Sequence, residues 1–341
     1  GNISQTNYST PASAGIFNLT ARSNGGKIYI NNGVSIGING SLILDNTNNG
    51  LTTTAATTFT GVELLGSASI SVYTGNVTIK GITQSANSSF SGVWLGGPSP
   101  YSSISAYDGV VDISAKRISN NGTFFTRAYQ GNGSTITAQK ILISGDNSAE
   151  AADYSYGLAL GNMIILEKKS DGQTSNPYAI NGSNVIELNG VVKKSLTNNV
   201  GIELSGSNAS IKNNANSGDI VFNSTGPLVT SAGKYYIPDN STSNITFDLS
   251  GAGKIASISG PWGSVNNNVN TATASSTGFN NLYAYTAGGS ISIGTSTKVQ
   301  GSVILDNTFG CSGASCVPQS GFINASNAST YAAPQGMEGF I

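Results

Sequence analysis

Three groups of residues in this chain have types and spacings that could do chemistry. The first is carboxylates. Asp108 and Asp112, or Glu63 and Glu203, can each be drawn on one face of a stack of strands, and two carboxylates poised across a scissile bond are what glycoside hydrolysis requires. The second is aromatic. Trp94 alternates with Val93 and Leu95, so strand parity turns its indole outward, and Tyr101, Tyr107 and Tyr129 follow nearby. An exposed indole among phenols can stack on a sugar or on another protein; a place under the Gly96 to Pro100 loop is the alternative for Trp94. The third is Cys311 and Cys316, the only cysteines, separated by Ser312-Gly313-Ala314-Ser315. One pair in a Gly/Ser loop fits a small disulfide ring better than a metal site, which wants more ligands. Two unpaired thiols in a tail are the competing reading.

What the chain lacks narrows its chemistry. Without histidine it builds no Ser-His-Asp or Cys-His site and no His-ligated metal centre. Its arginines are Arg22, Arg117 and Arg127, none beside the acidic cluster that a polyuronate lyase uses for Ca²⁺ and its base. No phosphate-binding glycine loop in a strand-helix context occurs. Carboxylates on one face are also what solvated surface looks like, so the expectation is a non-enzymatic protein with no catalytic residue, cofactor or metal. Only 9% of residues are charged and the formal net charge is -1. With no basic face beyond the doublets Lys168-Lys169 and Lys193-Lys194, nucleic acid is not expected as a partner. No apolar run approaches a bilayer span, so no transmembrane segment is expected. A disulfide implies export, to the medium or the cell surface. Glycosylation sequons occur at Asn18, Asn39, Asn76, Asn121, Asn132, Asn181, Asn208, Asn240, Asn324 and Asn327; in a chain so rich in Asn, Ser and Thr they permit modification without demonstrating it.

The elements that must position these residues are short strands. Asn18-Leu19-Thr20-Ala21, Gly25 to Ile30 and Gly40 to Thr47 return as Asn281-Leu282-Tyr283-Ala284, Gly288 to Ile293 and Gly301 to Thr308. Between them a second series recurs about every thirty residues: Gly61-Val62-Glu63-Leu64, Gly92-Val93-Trp94-Leu95, Gly157-Leu158-Ala159-Leu160 and Gly201-Ile202-Glu203-Leu204. Each piece alternates apolar with polar residues for four to six positions, as a strand buried on one face does. A unit of about thirty residues cannot cover its own apolar face, but stacked units cover one another. The expectation is all-β: a right-handed parallel β-helix with three strands per turn and about nine to eleven turns. Residues 1–308 form it, and 309–341 are an irregular cap or tail carrying the cysteine pair. The wide gap between Gly157 and Gly201 predicts an additional turn on Val185 to Leu188, and Asn32-Gly33, Asn39-Gly40, Asn181-Gly182 and Asn189-Gly190 predict corners.

Gly-Ser-x-Ile-x-Ile units, Gly75-Asn76-Val77-Thr78-Ile79-Lys80-Gly81 and Ser91 to Gly97 resemble the passenger regions of filamentous-haemagglutinin-like adhesins of Gram-negative bacteria, exported by two-partner secretion. The subgroup they are most similar to is the high-molecular-weight adhesins. The resemblance implies a C-terminal fragment of a surface adhesin that binds a host-cell protein or glycan, with an outer-membrane transporter as its export partner. It also implies that the Cys311 to Cys316 ring holds the protein in that transporter and that Asn sequons are glycosylated. The N-terminal secretion domain of such proteins is not evident here. A spacer or anchor segment of a surface filament is the second reading, and a polysaccharide-cleaving enzyme of the same fold the third.

Overall fold

A computed structural model describes residues 2–3, 18–47, 59–85, 87–97, 99–118, 126–149, 154–167, 184–193, 199–206, 209–213, 219–230, 234–236, 245–249, 258–259, 281–286, 291–292, 302–306 and 323–324. Within them the protein is all-β. Ile and Val at every second position have nowhere to hide in a short isolated strand, so each strand is covered by the next along the stack. The strand pairs are parallel, in three columns that the chain visits in a fixed order.

The first column holds Ile28–Ile30, Val62–Leu65, Val93–Gly96, Arg127–Asn132, Tyr156–Gly161, Val200–Ser205 and Leu228–Thr230. With Asn2–Ile3 before them and Ile258–Ser259, Ile291–Ser292 and Ile323–Asn324 after them, they make an 11-stranded sheet. The second column holds Ser35–Ile38, Ser69–Val72, Ile164–Glu167, Ser210–Asn213, Lys234–Tyr236 and the leading halves of Ser103–Arg117 and Thr135–Asn147. The third holds Leu19–Arg22, Leu42–Asp45, Val77–Thr83, the trailing halves of those two long strands, Asn184–Val192, Asp219–Ser224, Ile245–Leu249, Leu282–Thr286 and Val303–Asp306. The long strands bend between columns, with a register shift between Ala106 and Val110, and join the second and third columns into one 15-stranded sheet. This arrangement is compatible with a parallel β-helix.

Three details differ from the sequence reading. The opening unit contains a further strand, Ser35–Ile38, whose alternation is diluted by Gly37. Leu158 pairs directly with Ile202, and Ile186 pairs with Ile141 below and Ile220 above. The wide gap between Gly157 and Gly201 is therefore one long rung and not an additional turn. Asn189-Gly190 is no corner: it lies inside Asn184–Val192. Corners between the first and second columns carry a positive φ instead, at Gly33 (78°), Gly66 (53°), Gly133 (74°), Asn162 (51°) and Gly206 (90°), a conformation that glycine and asparagine tolerate best. Asn181-Gly182 lies outside the described residues. Within 309–341 only Ile323–Asn324 is described, and it pairs with Ile291–Ser292; Cys311 and Cys316 also lie outside.

The inward residues form one continuous core. Ile28, Leu64 and Ile143 have 2%, 0% and 0% of their surface exposed, and the Phe222 and Phe247 rings stack at 4.7 Å on successive rungs. Where the third column returns to the first, the two strands touch across the interior. A side-chain carbon on Gly81 would lie 2.1 Å from the Gly92 carbonyl oxygen, one on Gly145 2.2 Å from that of Gly157, and one on Gly190 2.1 Å from that of Gly201. These glycines exist for close approach of backbone to backbone. Beside them runs a buried polar seam. Asn46 donates to the Ile82 carbonyl at 3.0 Å and accepts from its N–H at 2.7 Å, Asn147 donates to the Thr126 hydroxyl at 3.1 Å, and that hydroxyl pairs with Ser155 at 2.9 Å. The seam satisfies backbone groups that the chain leaves unpaired as it folds back.

Candidate functional site on the outer face

The outward positions of the first column form one rank, because the ladder is parallel and in register. Tyr29, Glu63 and Trp94 are aligned, followed by Gln130, Ala159 and Glu203. Glu63, Trp94, Ala159 and Glu203 thus share a column as expected. Glu63 and Glu203 are four rungs apart, about 19 Å at the rung spacing of parallel strands, which is well beyond the separation of paired glycosidase carboxylates. Nor does the fold pair Asp108 with Asp112. Asp108 sits at the bend of Ser103–Arg117 with the Gln139 amide at 3.5 Å, while Asp112 is on the trailing half of that strand, where burial raises its pKa against the pull of Lys80.

Each end of this rank is built around a cation on an aromatic ring. Lys27 makes an ion pair with Glu63 and lies 4.5 Å from the centre of the Tyr29 ring. Three rungs along, the Arg127 guanidinium lies 5.4 Å from the centre of the Tyr156 ring on the following rung. Burial raises the pKa of Glu203 although Arg127 draws it back. Tyr156 is also raised, by burial first and then by Glu203, with Arg127 opposing. A desolvated carboxyl, a phenol and a guanidinium here act on one another, a combination suited to holding polar groups of a ligand.

Trp94 stands between these clusters. Its neighbours Val93 and Leu95 are buried at 0% and 1% exposure, while Trp94 itself is half-buried. The indole N–H is enclosed and has no hydrogen-bond acceptor. A side chain on Gly96 would come within 3.1 Å of that nitrogen, so the indole lies beside the near end of the Gly96 to Pro100 loop. Both sequence readings of Trp94 hold in part: the ring points outward, and its polar edge is covered.

The three tyrosines do not gather around it. Tyr101 and Tyr107 are each 47% exposed; Tyr107 stacks on Tyr73 of the preceding rung at 5.3 Å and 9°. Tyr129 was expected at the surface and is fully buried at 0%. It pairs with Val93 and Leu158 in the inward rank, and its enclosed hydroxyl, which has no partner, titrates far above the ordinary phenol range because it is desolvated. The parity that turns Gln130 outward turns Tyr129 inward.

Of the sequon asparagines, Asn18 and Asn132 are exposed and Asn39 and Asn76 half-buried. Asn18 and Asn76 have structural work. Asn18 accepts the Ser41 N–H at 2.7 Å, the Ser41 hydroxyl accepts the Asn76 N–H at 3.2 Å, and Asn76 accepts the Val110 N–H at 2.9 Å, a ladder along one corner. Asn281 repeats the first step on Ser302 at 2.7 Å, which is what the recurring Asn-Leu opening encodes. Asn121, Asn181, Asn208, Asn240 and Asn327 lie outside the described residues, and Asn324 is described only as strand backbone.

Sequence reasoning missed Arg117. It is wholly buried and donates to the Phe90 carbonyl at 2.8 Å, while Lys116 beside it reaches Asp146 at 3.1 Å. The doublet resembles solvated surface, yet Ile113, Ala115 and Arg117 continue one inward alternation, and that was the signal. Among the described residues no group of three His, Cys, Asp or Glu could hold a metal ion, and no helix is long and apolar enough to cross a membrane. Comparison with known proteins finds no family model that matches the chain, and no curated protein or solved structure that does.

Proposed function

We propose that the chain is a right-handed parallel β-helix of about nine to eleven turns that serves as an adhesive segment of a bacterial surface protein. It binds host-cell protein or glycan through side chains on the outside of the stack and does no chemistry on what it binds. Right-handedness follows from the rule that governs parallel strand crossovers. The observation that carries the adhesive reading is the outer face itself: aromatic side chains such as Tyr101 and Tyr107 are held 47% exposed on rungs whose inward partners are fully packed. Exposed aromatics on a rigid support are the usual anchors of recognition surfaces. The four-rung gap between Glu63 and Glu203 counts against a polysaccharide-cleaving enzyme. In this reading the protein reaches the cell surface or medium through an outer-membrane transporter, and Cys311 and Cys316 close a disulfide ring.

Attachment of the purified protein to epithelial cells, measured against its heat-unfolded form, tests the proposal; equal attachment of both forms removes it. A spacer role is favoured by one feature, the 11-stranded ladder, whose axial length is about 50 Å. If Cys311→Ser with Cys316→Ser releases the protein from expressing cells while cell attachment was absent throughout, the spacer reading replaces the adhesive one.

A further inference from the structure

The outward side of the second column is a regular array of neutral groups. Ser35 and Gly37, Ser69 and Ser71, Ser103 and Ser105, and Thr135 and Thr137 lie in register on four successive rungs. Between them Ile36, Ile70, Ile104 and Ile136 point into the core. The same parity runs past the strand ends, to Tyr101 on one side and to Tyr73, Tyr107 and Gln139 on the other. Aromatic rings cover part of each edge. The Tyr101 ring covers the next corner, where a side chain on Gly133 would meet it at 2.4 Å, and Tyr73 and Tyr107 stand as a parallel stack with Tyr107 47% exposed. Beyond the fourth rung the hydroxyls give way to Ile164, which is 37% exposed. The floor between these rings carries no charge.

Most of its hydroxyls are also uncommitted. Ser69 donates to Ser35 at 2.8 Å, but Ser71, Ser103, Ser105, Thr135 and Thr137 make no side-chain hydrogen bond within the described residues. Each is donor and acceptor at once, repeated about every 4.8 Å along the stack and about 6.7 Å across it. A docked protein brings apolar anchors, and the outward residues of this floor are serine, threonine and Gly37. A charged polymer brings charges that the floor does not neutralise. A linear neutral saccharide brings what fits: hydroxyls that exchange donor and acceptor roles with serine and threonine, and C–H faces that pack on tyrosine rims.

We propose that this face, from Ser35 to Thr137 and between Tyr101 and the Tyr73–Tyr107 stack, is a binding surface for a linear neutral glycan. The proposal rests on the adhesive reading above and names its ligand class. Titration calorimetry with neutral hexasaccharides of glucose, galactose, mannose and N-acetylglucosamine, with hexagalacturonate as anionic comparator, tests it. The expected result is binding of at least one neutral hexasaccharide, weakened tenfold or more by Ser105→Lys on the floor and by Tyr107→Ala on the rim. Thr78→Lys, on the outward side of the third column, leaves that affinity unchanged. Two variants of different kinds keep the test open if one of them fails to fold. Binding unaffected by either variant overturns the proposal, as does a preference for hexagalacturonate. Cell attachment without binding of any neutral hexasaccharide overturns it while leaving the adhesive reading in place. Neutral-glycan binding at this face without cell attachment removes the adhesive reading and keeps the site. A drop in sedimentation mass in Ser105→Lys also overturns it, because the face then meets a second copy of the chain.

Discussion

Gly145→Ala tests whether the third and first columns touch across the interior. The added methyl would lie 2.2 Å from the Gly157 carbonyl oxygen, 2.7 Å from Leu158 Cδ2 and 2.8 Å from the Gly157 carbonyl carbon. Two of these three neighbours are backbone held in the ladder, with Leu158 paired to Tyr129 and Ile202 on either side. The clash is relieved only by moving strands apart, which in packed cores costs about 1–3 kcal/mol. Against this stands the gain of about 0.4–1 kcal/mol that alanine brings by restricting the unfolded chain. The net expectation is a loss of about 1.3 kcal/mol, or about 2 °C in melting temperature for a chain of this length. Gly37→Ala is the matched control, because an added methyl there meets nothing within 4 Å. Only the unfolded-state term remains, and stability rises by about 0.5 kcal/mol. Urea unfolding of both variants gives opposite shifts in midpoint. If Gly145→Ala is as stable as the parent, the strands do not meet there and the account of the glycine pairs fails.

Three further outcomes follow from the same structure. Asn46→Ala orphans the Ile82 N–H and carbonyl that the buried amide bridges, and its unfolding midpoint falls by the equivalent of about 2–3 kcal/mol. The pH dependence of stability is opposite for two carboxylates. Burial raises Asp146, but Ser148 and Lys116 outweigh it and its folded pKa is lowered below 3.8, so its contribution is present above that value and disappears as pH falls through the folded pKa. Asp146→Asn is therefore less stable at pH 7 and converges with the parent in acid. Glu203 is raised above 4.5 by burial, with Arg127 opposing, so its ionisation costs stability as pH rises above that value, and Glu203→Gln gains on the parent in the same direction. A pH series of melting temperatures checks both signs. Trp94→Phe removes an enclosed N–H that has no acceptor and leaves stability equal or higher by up to about 1 kcal/mol, where loss of a structural hydrogen bond would lower it.

The inward half of each rung was legible in the sequence because alternation reports burial directly. The apolar positions of the aligned series, Leu64, Leu95, Leu160 and Leu204 among them, are the buried ones, and the same alignment puts Glu63, Trp94, Ala159 and Glu203 in one rank. Errors arose where parity was available but residue type was allowed to decide. Tyr129 was grouped with Trp94 by nearness in sequence, and Arg117 was weighed only as a base beside acidic residues; in both the strand's alternation pointed inward. Asn189-Gly190 was read as a turn from its composition, although its glycine answers to the Gly201 carbonyl on another strand. Such a contact joins residues distant in sequence, and no local pattern announces it. The stretch between Glu167 and Asn184 was read as an extra turn for a related reason: length alone does not add a rung, whereas register decides it.

The division of labour across each rung explains why the proposed binding is assigned to the outer face. Inward positions are constrained by the next rung, and the glycine pairs and the Asn46 and Asn147 amides are constrained by the strand across the interior. An outward position touches only its neighbours above and below. The Trp94 rank shows the freedom this gives, running through Tyr29, Glu63, Trp94, Gln130, Ala159 and Glu203 with no common chemistry. The second column has the same freedom and does not use it: four rungs keep serine, glycine or threonine at both outward positions, and Tyr73 and Tyr107 recur at the same edge. Packing does not demand that uniformity, since Ile164 and Leu166 occupy the same outward positions one rung later. That uniformity is what the proposed neutral-glycan surface rests on.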